Sequence, residues 1–362
     1  MAPSPRRRRA ADETPTRGVT IKHLATELGL SITTISRALN GYSDVGEKTR
    51  ERIIEAARRA GYTPNRNAQR LVTQRSHTIA WVQSDHDAKF ADPHFVEVLA
   101  GALREARLSR YDIILAAEPP EGQLAAYERY VRDGSVDGFI VDVPRPEDPR
   151  VAFLKAAGVP FAVHGREGVV EDYGWVDIDN YGIFYNLAKL MVENGHRKFA
   201  FINGDEQYLY ARTRRRAADT AIRDLGLPPD TVLHLEGTHP MGDAGYQLTE
   251  LALADPDVTA IIYSSILFTM EGLAAITQAG RKPGKDIMIA SMNDQLQYLN
   301  LAPLEGVVTL VNSSLRAGGR ALVAEVIRQC ETGKTGGTMI PAFFYLADGV
   351  RAETIKDDVL FA

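Results

Sequence analysis

Beyond residue 78 the chain alternates between two kinds of pattern. Short apolar runs stand at 79–82, 112–116, 138–141, 161–163, 199–202, 260–263, 287–290 and 307–310. Most are separated by 10–20 residues in which apolar positions recur with helical period, as in 95–107 and 181–193. A continuous apolar run suits a strand buried on both faces, and a helical stretch between two such runs supplies the crossover a parallel pair needs. The pattern predicts βαβ units and parallel sheets. About 285 residues are too many for one simple open sheet, so two packed α/β lobes are expected. A short strand leading directly into a helix near 177–180 marks a change of lobe.

Before residue 78 the pattern is helical only. Residues 19–63 predict three short helices, at 21–28, 32–39 and 47–60, with Thr20 and Ser31 as N-caps and stops at Gly29 and Gly61. The first two fit a helix-turn-helix. Ala25 is small where the helices approach, and Gly29 can take the positive φ of the turn. Leu24, Leu28, Leu30, Ile35 and Ala38 fall inward. The second helix then turns Ile32, Thr33, Ser36 and Arg37 outward, as a helix lying in the major groove of DNA would. Arg37 can donate twice to a guanine edge, Thr33 can reach a base edge, and Ile32 can touch a thymine methyl. Ser31, Thr34, Asn40 and the Thr49/Arg50 region suit phosphate contacts, which set position.

Charge sharpens this division. The formal net charge is −5, but residues 1–77 carry 15 Lys/Arg against 7 Asp/Glu, while 78–362 carry 27 against 40. A basic front on an acidic body places nucleic-acid contact at the front. Residues 1–18, with Arg6 to Arg9, read as a disordered basic arm, because no apolar stretch follows as it would in a secretory signal. The composition, 44% hydrophobic and 25% charged, is that of a globular protein and excludes a coiled coil or a fibre.

The run from 19 to 82 resembles the lactose/galactose repressor (LacI/GalR) family. The resemblance rests on Thr20-Ile21-Lys22-His23-Leu24-Ala25, Gly29-Leu30-Ser31, Thr34-Ile35-Ser36-Arg37-Ala38-Leu39-Asn40, Thr49-Arg50, Gly61-Tyr62 and Pro64-Asn65, with Ala68 and Leu71 adding the hinge pattern. It implies that the segment opened by Asn65 is a hinge, helical on operator DNA. Leu71 of each subunit would wedge into the minor groove and Ala68 would lie close to its floor. Gln69 stands where many members have Arg. The implied organisation is an arm (1–18), an all-α helix-turn-helix domain (19–63), a hinge with its helix (64–77) and an α/β two-lobed periplasmic-binding-protein-like core with parallel sheets (78–362). Lobe 1 is expected at about 78–177 and 307–335, and lobe 2 at about 178–306 and 336–362.

Ligands of open α/β sheets sit beyond the carboxyl ends of strands, which directs attention to the residues there. Phe95, in Asp92-Pro93-His94-Phe95, can stack on a sugar face. His164 and Arg166 follow one strand, and the arginine can bond two hydroxyls. Asp179 can accept from a ligand or cap the helix after it. The resemblance assigns effector binding to Arg214, within Arg212-Thr213-Arg214-Arg215-Arg216, and makes Gly195-His196-Arg197-Lys198 a structural turn. The chain departs from the family at Ser265-Ile266, where Asn-Asp is usual, and at Asn293-Asp294, where Asp-Asp is usual. Ala217 and Glu271 replace glycines. Asn293 can still bridge hydroxyls as donor and acceptor.

These readings lead to a DNA-binding transcriptional regulator, of the repressor kind, controlled by a small molecule that is a sugar or sugar derivative. The alternative is a solute-binding protein without DNA function, which the helix-turn-helix opposes. No phosphate loop, GxGxxG, GxSxG or HExxH points to an enzyme, a cofactor or a catalytic metal. One cysteine, Cys330, excludes an internal disulfide and fits a cytoplasmic protein. No apolar run is long enough for a membrane helix. The residues after Leu346 hold no leucine heptads, so the expected partners are a second copy in a homodimer, double-stranded operator DNA and the effector.

Overall fold

The computed structural model describes residues 19–39, 41–62, 75–84, 91–168, 171–237, 242–353 and 360–361. The chain divides into two compact units, residues 1–76 and 77–362.

The first unit holds α1 (Ile21–Leu28), α2 (Ile32–Leu39) and α3 (Glu47–Arg59). Helices of 8 residues are unstable alone, so packing must hold them. Leu24, Leu28, Ile35, Ala38, Val45, Ile53, Ala56 and Ala57 form their common core. Each fully buried leucine or isoleucine contributes about 1.5–3 kcal/mol. Gly29 ends α1 with φ 64°, the left-handed conformation that a turn this tight demands. Arg52 ties α3 to the end of α1 through the Leu28 carbonyl (3.1 Å).

The second unit contains two sheets. The first comprises β1 (Thr78–Ser84), β2 (Asp112–Glu118), β3 (Gly138–Asp142), β4 (Phe161–His164), β5 (Gly174–Asp177) and β11 (Gly337–Met339), in the order β11-β5-β4-β3-β1-β2. All its neighbours are parallel. The second comprises β6 (Phe199–Asn203), β7 (Val232–Glu236), β8 (Ala260–Tyr263), β9 (Met288–Asn293), β10 (Val308–Ser313), β12 (Ala342–Tyr345) and β13 (Leu360–Phe361), in the order β13-β12-β10-β9-β8-β6-β7. Only β10 and β12 are antiparallel among its pairs.

Each sheet is covered on both faces, which is why its inner strands read as unbroken apolar runs. Along β1, Ile79 and Trp81 face α4 (Pro93–Leu108) and α11 (Leu315–Thr332). Ala80 and Val82 face α5 (Gln123–Asp133) and α6 (Pro149–Ala157). In the second sheet Phe199 and Phe201 pack on α7 (Asn180–Glu193) and α8 (Leu209–Asp224). Ala200 and Ile202 face α9 (Ala244–Leu253) and α10 (Ile266–Gln278). Where α4 crosses α11 both supply a glycine. A Cβ on Gly101 would collide with the Arg316 carbonyl, and one on Gly319 with the Val98 carbonyl.

The chain passes between the sheets three times, after β5, after β10 and between β11 and β12. Two of these passages differ from the expected lobes. β10 lies in the second sheet, although 307–335 was expected in the first lobe; it pairs with β9 over Val308 to Asn312. β11 lies in the first sheet, beside β5, although 336–362 was expected in the second. Three strand residues carry too little pattern to reveal so brief a return.

Candidate functional site

In the first unit the outward face of α2 carries Ser31, Ile32, Thr33 and Arg37 exposed, with Thr34 and Ser36 half-buried. Ile32, 44% exposed on a helix with an otherwise packed apolar face, has no role in this core. Ser31 Oγ accepts from the Thr34 N–H (3.0 Å) and lies 2.8 Å from Thr34 Oγ1, so both side chains serve the helix start. Arg37 pairs with Asp44 (2.8 Å) and lies over the Tyr42 ring, 5.0 Å from its centroid. An exposed pair of this kind is weak and leaves the guanidinium exchangeable for a base edge. Thr49 is half-buried in the first turn of α3. Arg50 is drawn inward, donating to the carbonyls of Tyr42 (2.6 Å) and Val45 (3.2 Å), and thus shapes the loop before α3. Asn40, Asn65, Ala68, Gln69 and Leu71 lie outside the described residues.

In the second unit a cleft of about 1340 Å³ is lined by the carboxyl ends of strands from both sheets. Four helices that open onto it carry polar N-caps: Asp92 for α4, Asp179 for α7, Ser265 for α10 and Ser314 for α11. Their N-termini add a positive potential that suits hydroxyl and carboxylate oxygens.

Arg214 projects from α8 into this cleft and is only 8% exposed. Its Nε donates to Asn180 Oδ1 (2.7 Å) and its Nη1 to the Ser264 carbonyl (3.0 Å). Phe184 and Tyr210 stack on the guanidinium at 4.8 and 4.9 Å. Burial lowers its proton affinity, and the charges of Asp294, Tyr210 and Asp177 oppose that effect. Arg166 lies over Trp175 at 4.7 Å, with its Nε 3.5 Å from Asp177 Oδ2. Burial pushes Asp177 up to about 6, although the Ile178 N–H and the two arginines favour its charged form. His164, Arg166, Asp179 and Arg214 therefore line one cleft. Asp179 also caps α7, accepting from the Gly182 N–H (2.8 Å).

Two residues differ from expectation by one position. Phe95 touches the cleft but is 4% exposed and set edge-on against Trp81 in the core; His94 is the side chain at that place that bonds across the cleft. One step along a helix turns a side chain by about 100°, enough to exchange core for cleft. Asn293 does not line the cleft. It ends β9, donating to Asn312 Oδ1 (2.8 Å) and accepting from the Gln295 N–H (3.1 Å). Asp294, the first residue beyond β9, lines the cleft instead. A carboxylate acceptor thus survives despite the departure at Asn293. Ile266, the first residue of α10, is fully buried in the core and does not line the cleft.

His94 joins the two sides. Its Nδ1 donates to Asp92 Oδ1 (2.9 Å), and its Nε2 bonds Ser265 Oγ (3.1 Å) and lies 3.3 Å from Asp294 Oδ2. Burial works against its positive charge, but bonds and charges from Asp294 and Asp92 prevail and raise it to about 10. Tyr181, Tyr208 and Tyr210 add aromatic faces to the wall. No motif assigned these a role; a histidine directly behind the helix-opening Asp92-Pro93 was the one readable signal. Among the described residues no group of three His, Cys, Asp or Glu side chains is placed to hold a metal, and no helix is long and apolar enough to cross a membrane.

Comparison with known proteins covers both units. Residues 20–65 match the model of bacterial regulatory proteins of the lacI family. Residues 76–348 match that of periplasmic binding proteins and the sugar-binding domain of the LacI family. The chain is 38% identical over 311 residues to the HTH-type transcriptional regulator AglR of Rhizobium meliloti, spanning 85% of this chain and 87% of that protein. It is 30% identical over 330 residues to RafR of Escherichia coli, spanning 90% and 97%. Among solved structures it resembles the transcriptional regulator CelR in complex with cellobiose, at 25% identity and TM-score 0.65, over 91% of this chain and 98% of that one. The lac repressor dimer bound to operator and an anti-inducer shares the fold at 21% identity and TM-score 0.72, again over 91% and 98%. With both units matched and relatives spanning most of its length, the chain belongs to the LacI family of bacterial transcriptional regulators.

Proposed function

We propose that this regulator is a repressor that binds a near-palindromic operator as a homodimer and releases it when a sugar occupies the cleft. The supporting observation is one wall of the cleft: Arg214, pinned by Asn180, Ser264 and two aromatic rings, stands near the carboxylates of Asp177 and Asp294. Fixed donors, fixed acceptors and aromatic faces are what a polyhydroxylated ring needs. Arg37, Thr33 and Ile32 read bases; Ser31, Thr34, Ser36, Asn40 and Thr49 hold phosphates; Asn65, Ala68, Gln69 and Leu71 engage the minor groove. His164, Arg166, Asp179 and Arg214 serve the effector together with His94 and Asp294, while Phe95 packs on Trp81 and Asn293 orders the turn after β9. The protein binds its sugar without turning it over and works where the chromosome is, in the cytoplasm.

Control is a coupling free energy between two sites, and it is reciprocal. Sugar that weakens operator binding must be bound more weakly on operator DNA. The test begins with selection of duplexes from a randomised pool. Operator affinity is then measured by fluorescence anisotropy against a panel of mono- and disaccharides that includes cellobiose. At least one sugar is expected to raise thermal stability and lower operator affinity. Absence of any sequence preference, or of any sugar effect on either quantity, defeats the proposal. A solute-binding protein would show sugar binding and no operator.

A further inference from the structure

The geometry points to His94 as the positioning residue of the effector site: its imidazolium, held by Asp92 on one lobe, fixes the Asp294 carboxylate of the other for a sugar hydroxyl, so one side chain serves lobe closure and recognition together. The inference rests on the sugar-binding reading of the cleft. Three contacts carry it. Asp92 Oδ1 accepts from Nδ1–H at 2.9 Å, and Ser265 Oγ and Asp294 Oδ2 share the side of Nε2 at 3.1 and 3.3 Å. Asp92 and His94 belong to the start of α4 against the first sheet, whereas Ser265 and Asp294 follow β8 and β9 of the second.

A neighbouring contact acts in the same direction. Buried Glu97, one turn further along α4, accepts from the Gln297 N–H (3.1 Å) and is gripped by Arg316. The start of α4 thus clamps residues 294–297, where Gln295 has φ 55°. A non-glycine residue in that region costs free energy that surrounding bonds must offset. The ionisable groups around His94 are Asp92 from its own cap, Asp294 from beyond β9, and Arg214 and Tyr210 from α8, which are themselves coupled to Asp294 and Asp92. Two carboxylates adjoin the imidazole directly, which keeps it charged at neutral pH.

The bridge is tested on the ligand-free protein. Histidine labelled at Cε1 is followed by NMR, with the His94 signal assigned by its absence in His94→Gln. The signal is expected to stay that of an imidazolium through pH 8.5 and to titrate lower in Asp294→Asn. Thermal unfolding of His94→Ala, Asp294→Ala and the double variant is expected to be non-additive. Titration of His94 in its ordinary range, or strict additivity, overturns the inference. The positioning role is read with the sugar that gives the largest shift in the panel above. His94→Leu should bind it at least about tenfold more weakly, and His94→Gln, whose amide can still donate to Asp294, less weakly than that. Equal affinity in wild type and His94→Leu overturns the role. If no sugar binds while His94 stays charged, the sugar reading fails and the bridge stands.

Discussion

Arg37 and Arg214 carry the same charge in opposite settings, and their substitutions should fail in opposite ways. Arg37 is half-exposed beside Asp44 and Tyr42, so Arg37→Ala leaves folding intact. It should lower affinity for the selected duplex by about 10- to 100-fold, the worth of a good bidentate base contact, with little change on a scrambled duplex. Unchanged gel-shift affinity for the selected duplex would remove Arg37 from base reading. Arg214→Ala should keep operator binding and lose the sugar response. It also strands Asn180 Oδ1 and the Ser264 carbonyl, so urea unfolding should show a loss of about 1–3 kcal/mol. At this scale the sequence was legible to within one residue. Arg214 and Asp179 line the cleft, while Phe95 and Asn293 each stand beside the side chain, His94 or Asp294, that reaches further into it. Composition reports which loop reaches the cleft; the rotation of one residue about a helix or strand decides which side chain does.

At the scale of elements, strength of pattern decided what could be read. All eight apolar runs became strands; in the inner ones burial on both faces demands unbroken apolar sequence, while β2 keeps its run at a sheet edge. β7, β11, β12 and β13 were missed: they lie toward sheet edges and are short or too polar to yield such a run. The pairing of α4 with α11 was invisible, since two glycines more than 200 residues apart announce nothing until they meet. Gly319→Ala should separate these helices at a cost of about 1–3 kcal/mol, as overpacking does, measured as a lower unfolding temperature. Gly29→Ala should cost roughly 1 kcal/mol through the strain of its positive φ, and confine that loss to the helix-turn-helix unit. Hydrogen exchange resolved by segment separates the two cases.

At the scale of the whole molecule, the charge split and the bridge at His94 give pH and salt distinct meanings. His94 holds its proton more tightly folded than unfolded, with its value raised from 6.5 to about 10. Its stabilising contribution is complete below about pH 6.5 and is lost as pH rises toward 10. The gap in unfolding temperature between wild type and His94→Gln should therefore narrow from pH 7 to pH 10. A gap that stays constant would show that the charge does not contribute. Salt should act on the front of the chain instead: operator affinity should fall steeply with ionic strength through the 15 basic side chains of residues 1–77. Sugar affinity, set inside the cleft, should barely change.

The three passages between the sheets also govern the order in which the protein can be made. On the ribosome β1 to β5 emerge first, yet β5 keeps an unpaired edge until Gly337 and its neighbours arrive some 160 residues later. α11, which covers one face of that sheet, comes only just before them. The second sheet can pair β6 to β9 as they appear, because those strands follow one another closely. The lobe whose strands begin first thus waits for a segment that follows almost all of the second lobe, and nascent chains halted before residue 315 would expose a hydrophobic sheet face and a free strand edge. Such chains are natural clients for chaperones, and the regulator reaches its working concentration only after nearly its whole length has been translated.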